Sequence, residues 1–238
     1  MEKESFVVNI AGLLIEIKLT SAELKEYCKE YIEEQKPQIK LAIGMKDLEN
    51  EKKNRDENIP IQFLENTVAL RKIAEILPAY KKILFHGAVI SWKKKGIVFT
   101  APSGTGKTTH IALWKKYYKE DVKIINGDKP VLSIEDEKIY MYGTPWAGKE
   151  RWHTKERVEL HAICVLQRSE NNNIKKMEIK EAIPLLLKQI YLSNHEENFS
   201  KALEVLDFVL RKIPVYLLEC NISYDAVKCS SSILRDLE

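Results

Sequence analysis

The stretch "TAPSGTGKTTH", residues 100–110, decides how the chain is read. Residues 101–108 spell A-x4-G-K-T, a phosphate-gripping pattern. Gly104 and Gly106 let backbone N–H groups turn inward onto phosphate oxygens with no Cβ in the way. Lys107 can reach the β- and γ-phosphates, and the Thr108 hydroxyl can ligate Mg²⁺. "GIVFTA" before the loop reads as a strand. "TTHIALW" after it opens a helix whose N-terminus favours anions. Ser103, Gly104, Thr105, Gly106, Lys107, Thr108 and Thr109 are therefore the candidate nucleotide-binding residues. Ala101 replaces the usual first glycine, at a position that only begins the turn. The competing reading is a glycine-rich turn that binds nothing.

Such a loop also needs an acid for the metal or the attacking group. About twenty residues on, in "KIINGDKPVL", Asp128 follows an apolar β-rich run. A charged residue at the end of a buried strand, beside a phosphate site, is placed for chemistry. Gly-Asp is also ordinary turn chemistry.

Composition sets the outer limits. The chain has 238 residues, of which 45% are hydrophobic and 31% charged, which fits a globular protein with a sizeable core. A formal net charge of +3 gives no argument for nucleic acid. No run approaches 18 apolar residues, so no membrane span is expected. The start "MEKESFVV" lacks a signal-type apolar core, which points to the cytoplasm. Four cysteines lie far apart without paired metal-binding spacing, and read as reduced thiols.

Along the chain, residues 1–60 read as a small N-terminal αβ lobe and 61–238 as the main domain. In residues 5–19, Leu13, Ile15, Ile17 and Leu19 alternate against Glu16 and Lys18 as a half-buried strand, with a turn or bulge before it at Ala11-Gly12. Thr20 and Glu23 suggest a capping box for a helix through "TSAELKEYCKEYIEE". "QIKLAI" is a short strand, and polar residues 44–60 read as an exposed loop. A helix fits residues 64–77. The centre is strand-dense: "KILFHGAVISW", "GIVFTA", "VKIING", "PVLSIE", "KIYMYG" and "LHAICVLQRS", with "KKKG" as a hairpin signal. The C-terminal part turns helical around the strand "VYLLEC". Phe199, Ala202, Leu203, Leu206, Val209, Leu210 and Ile213 form one apolar stripe there. The expected class is α/β (α+β): a mixed central β-sheet bearing the phosphate loop, flanked by helices.

These residues together resemble the HPr kinase/phosphorylase group, whose kinase domain shares the phosphoenolpyruvate-carboxykinase type of nucleotide-binding fold. "SGTGKTT" is similar to that loop. "HGAVISWKKKGIVFTAPSGTGKT" resembles the arrangement of a His-Gly strand, hairpin and second strand leading into it. "INGDKPVL" falls at the acidic segment. The likeness covers roughly residues 83–168. The N-terminal lobe and "YGTPWAGKERW" look more like the broader set of HPr-kinase-related bacterial ATP-binding proteins, some of which modify peptides. The resemblance implies ATP and Mg²⁺ as cofactors, with Lys107 and Thr108 holding phosphate and metal. It implies Asp128 as base, metal ligand or both, and His86 beside the phosphates; alone, His86 reads as a core histidine. Gly127 stands where the group carries a first acid. Signatures of the dephosphorylating activity are not recognisable. HPr kinases assemble into oligomers, so a homo-oligomer is an expectation of the likeness. A C-terminus closing its own core is the alternative.

Residues 143–157, "GTPWAGKERWHTKER", place Lys149, Arg151, His153, Lys155 and Arg157 at every second position. If extended, the segment puts all five on one face, a cationic rim for phosphates or an acidic peptide. Accidental alternation in a solvated loop is the other reading. Trp146, Lys149 and Arg151 are the candidate substrate contacts. The function expected is transfer of the γ-phosphoryl group to a hydroxyl, most simply a Ser or Thr of a protein or peptide. A nucleotide-dependent binding module and a small-molecule kinase are the rivals.

Overall fold

The computed structural model describes residues 5–18, 22–53 and 59–235. The chain divides into two compact units, Met1–Ile76 and Leu77–Glu238.

In the first unit, β1 (Ser5–Ile10) and β2 (Leu13–Lys18) form an antiparallel hairpin. Ala11 and Gly12 turn it with φ of 51° and 84°, the paired left-handed geometry that two-residue hairpin loops favour. Alternation puts Phe6, Val8, Ile10, Leu13, Ile15 and Ile17 inside. Helix α1 (Glu23–Tyr27) is far shorter than its apolar periodicity predicts. A 3₁₀ turn follows at Lys29–Tyr31. The chain is then captured by β1: Val8 bridges Ile32, and Glu33 N–H donates to Val7 O at 2.9 Å. Sheet bonding therefore wins over helix extension. Thr20, the expected cap, lies outside the described residues. β3 (Ile39–Ala42) runs parallel to β2.

Residues 44–60 are not simply a loop, because α2 spans Met45–Lys52. Its apolar content is too sparse to show periodicity. Polar groups fix it instead. Asp47 Oδ2 accepts the Gly44 N–H at 2.8 Å, capping the start. From α3 (Ile61–Ile76), Arg71 pairs with buried Glu51 at 2.6 Å and Lys72 with Asp47 at 2.8 Å. Residues 54–58 lie outside the described residues. Helix α3 belongs to the first unit, so the division falls after Ile76 and not at residue 60.

The second unit begins with a 3₁₀ turn at Leu77–Tyr80 and then β4 (Lys82–Leu84), β5 (Ala88–Trp92) and β6 (Lys95–Thr100). The apolar run 82–92 is thus two strands, broken at His86-Gly87, which lie in different parts of the sheet. Next come α4 (Lys107–Tyr118), β7 (Val122–Asn126), β8 (Val131–Glu135), β9 (Lys138–Tyr142) and β10 (Arg157–Arg168). β11 (Asn173–Lys176), α5 (Ile179–Leu186), α6 (Glu196–Lys212), β12 (Val215–Cys220) and α7 (Tyr224–Arg235) complete the chain. The polar strand β11 has no apolar signature and exists as the antiparallel partner of β12.

Among the described residues these strands form one nine-stranded mixed sheet, ordered β4-β8-β9-β10-β6-β5-β7, with β12 on β10 and β11 on β12. The long β10 joins its two characters. It pairs antiparallel with β9 over Arg157–Glu159, then parallel with β6 and β12. Successive residues of β6 face opposite ways. Ile97 and Phe99 join Ile111 and Trp114 of α4 and Val227 and Ile233 of α7. Val98 joins Val205, Leu206 and Val209 of α6. Two helical layers therefore sandwich the sheet. Phe199, expected in the α6 stripe, is instead exposed. No helix among the described residues is long and apolar enough to cross a membrane.

The parallel pairing has a direct consequence for the site. β6, β10 and β12 all end at one edge, and so does β7, which is antiparallel to β5 as β6 is. That carboxyl-terminal edge is where open α/β sheets place ligands.

Candidate active site

The loop between β6 and α4 turns on its two glycines. Gly104 has φ of 79° and Gly106 of 124°, and a Cβ at either would meet nothing within 4 Å. The space a side chain would fill is left open as a cradle. α4 starts at Lys107, so its unpaired N–H groups face the same region. Ala101 is buried, and its carbonyl accepts from Lys107 Nζ at 2.8 Å. The ammonium also reaches Pro102 O at 3.4 Å. Burial pushes Lys107 below the ordinary lysine range; the charge of Asp128 opposes this and that of Lys129 adds to it. Thr105 Oγ1 donates to Pro102 O at 2.9 Å. Thr108 is half-buried, and Ser103 and Thr109 are exposed.

Beneath the start of α4, His110 is buried. Its Nε2 lies 3.1 Å from Ser230 Oγ and accepts from Trp114 Nε1 at 3.2 Å. Burial drops its pKa to about 4, so the ring is neutral and structural.

Asp128 follows β7 on a turn set by Asn126. The buried Asn126 Oδ1 accepts the N–H groups of both Asp128 and Lys129 at 2.8 Å. Its Nδ2 donates to Thr144 O at 3.0 Å, and Thr144 Oγ1 donates to Lys129 O at 2.7 Å. This asparagine turn aims the carboxylate. Asp128 Oδ1 lies 3.3 Å from His86 Nε2 and 3.4 Å from Lys129 Nζ. Burial raises the carboxyl pKa, but the His86 hydrogen bond and the Lys129 charge outweigh it, holding Asp128 below the usual carboxylate range. The group is ionised at neutral pH.

His86 is here because the strand is broken here. Thr100 Oγ1 donates to His86 O at 2.7 Å, and Gly87 N–H donates to Asp128 O at 2.9 Å. His86 N–H donates to Gln189 O at 2.6 Å. The break ties together β6, the Asp128 turn and the segment after α5.

Gly127 also has a steric reason. A Cβ there would stand 2.8 Å from Ala147 O. An acid at this position requires the 146–148 backbone to move.

The family model described as "SynChlorMet cassette protein ScmC" matches residues 49–226. The chain belongs to this family. The matched span takes in the phosphate loop, the His86 break and the Asp128 turn. No curated protein matches the chain. A distant, low-identity structural match is the HPr(Ser) kinase/phosphatase from Coxiella burnetii, with 13% identity and a TM-score of 0.38. It covers 65% of this chain and 89% of that one.

The basic stripe does not form. Residues 148–151 make a turn, with Arg151 at φ of 52°, so the extended geometry that alternation requires is absent. Arg157 instead lies in β10, where it bonds Glu135 and stacks 4.1 Å from the Tyr140 ring. His153 bridges to Asn126. Trp146 is buried, and its carbonyl accepts the Lys129 N–H at 3.0 Å. Trp152 packs against the core face that holds Trp114. Lys149 and Arg151 are exposed on the turn whose Gly148 lies against Asp128, with a Cβ there 3.3 Å from Asp128 Cβ.

Sequence reasoning did not single out Asn126, Lys129 or Arg168. Asn two residues before Asp is a readable turn signal. Arg168 had none. It ends β10 and donates through Nε to Thr105 O at 3.0 Å and through its second nitrogen to Gly104 O, holding the phosphate loop from outside. A cleft of about 480 Å³ opens beside it, lined among others by Thr109, Leu113, Leu166, Asn221 and Ile222.

Proposed function

We propose that the chain is an ATP- and Mg²⁺-dependent phosphotransferase acting on a hydroxyl, in the simplest case a Ser or Thr of a protein or peptide. One observation carries the reading. Three separate segments bring Lys107, Asp128 and His86 to one edge of the sheet beside an open anion cradle, with Asp128 ionised. In transfer, the acceptor oxygen bonds to the γ-phosphorus and the bond to the β–γ bridging oxygen breaks. The nucleoside diphosphate leaves with the electron pair, and the hydroxyl proton passes to the Asp128 carboxylate. Lys107 stabilises charge on the transferring group, where positioning and electrostatics dominate. His86 keeps the carboxylate oriented.

The residues fit the two cofactors. The cradle at Gly104 and Gly106 suits phosphates, and the 480 Å³ cleft beside it is within the range of ligand sites, about 300–1,000 Å³. Thr108 and Asp128 offer the hard oxygens that magnesium prefers alongside substrate phosphates and water. Among the described residues no cluster of three or more His, Cys, Asp or Glu could hold a metal. When bound, Mg²⁺ supplies neutralisation of phosphate charge.

The test is to incubate the protein with γ-labelled ATP and cell extract. Label on a protein or peptide supports the reading. Label on a small molecule moves the acceptor class, and label on free phosphate alone points to a binding switch.

A further inference from the structure

We propose that a small pocket beside His86 selects the acceptor by receiving an acidic side chain next to the hydroxyl that is phosphorylated. The inference rests on the phosphotransferase reading above. The pocket holds about 180 Å³ and is lined by Phe85, His86, Lys129, Lys188, Gln189 and Tyr191, among others. Two of these, His86 and Lys129, are the side chains that contact Asp128 Oδ1. An occupant therefore stands one side chain away from the carboxylate. The far wall is fixed to the same break in the sheet. Gln189 O accepts the His86 N–H, Phe85 bridges Ile190, and Tyr191 N–H donates to Leu84 O at 3.1 Å.

Size and charge then name the occupant. Pockets for whole small molecules run to about 300–1,000 Å³, so this one takes a single side chain. Its two lysines are Lys129, shared with Asp128, and Lys188, which is exposed and has no ion-pair partner among the described residues. A carboxylate satisfies Lys188 without displacing Asp128. An acidic residue beside a Ser or Thr offers that carboxylate within one side chain of Asp128.

The test uses a random peptide library with a central Ser or Thr, labelled from γ-labelled ATP and sequenced. Wild-type protein should enrich Asp or Glu next to the labelled residue by about tenfold, the scale of a close charge contact. Lys188→Glu should abolish that enrichment and favour Lys or Arg. Lys180→Glu, on α5 outside the pocket and paired with Glu178 at 2.8 Å, should behave as wild type. Labelled peptides with no acidic preference, or a preference that Lys188→Glu leaves unchanged, would overturn the pocket assignment. A library that takes no label from active protein would instead overturn the peptide-acceptor reading, and this inference with it.

Discussion

Two turns approach Asp128, the phosphate loop at 101–108 and the segment at 143–151, and they are specified in opposite ways. The loop carries its geometry in its own residues. Gly104 and Gly106 adopt left-handed φ in open space, and the lysine at the helix start fills the centre. The 143–151 segment takes its shape from its neighbours. Its carbonyl at Trp146 is claimed by Lys129, and its Ala147 carbonyl lies where a Gly127 Cβ would be. Residue pattern predicts the first kind of turn. It misleads about the second, where charge alternation suggested an extended rim.

The sharpest way to break this contrast is inside the loop. Lys107→Ala should lower phosphoryl transfer by about 10³-fold, as loss of one charged stabiliser does. The fold should survive, because Lys107 bonds only loop carbonyls. Near-wild-type transfer in a labelled-ATP assay would remove the loop from the chemistry.

Next in size is the anchor beneath the loop. Folded His110 resists protonation down to about pH 4, whereas an unfolded histidine takes its proton near 6.5. Between these values the unfolded chain binds more protons. Stability should therefore fall as pH drops through that window, by about 3 kcal/mol in all. Urea unfolding at pH 7 and at pH 4.5 measures it, and the same loss in His110→Gln would assign the effect to other groups.

On the other turn, Gly127→Asp tests whether packing excludes the missing acid. It should destabilise by about 1–3 kcal/mol, the usual cost of overpacking. Unchanged urea midpoints would show that the 146–148 backbone yields freely. The smallest effect is expected where a glycine serves shape alone. Gly12→Ala in the N-terminal hairpin should cost about 1 kcal/mol of stability through its φ of 84°. It should leave transfer intact.

The same contrast explains what could be read in advance. Strands β2 to β10 announced themselves through apolar alternation or density, the first hairpin turn through Ala11-Gly12, and the later ones through short polar breaks. Helix α2 did not, because its position rests on Arg71–Glu51 and Lys72–Asp47 ion pairs to a distant helix. The split of residues 82–92 was hidden, since His86-Gly87 interrupts a run whose apolar content is continuous. Asp128 was legible as an acid after a strand. Of its partners, Asn126 carried a turn signal and Lys129 carried none, and Lys188 and Gln189 are brought near it by tertiary bonds such as those at Gln189 O and Tyr191 N.

The central claim is that the phosphate loop and Asp128 form one phosphoryl-transfer site with divided labour. Asp128→Asn tests it most directly, with ATP binding measured by calorimetry and transfer by label on the acceptor. The account predicts binding within a few-fold of wild type and transfer reduced by about 10²-fold or more. Transfer at the wild-type rate in that variant would contradict it.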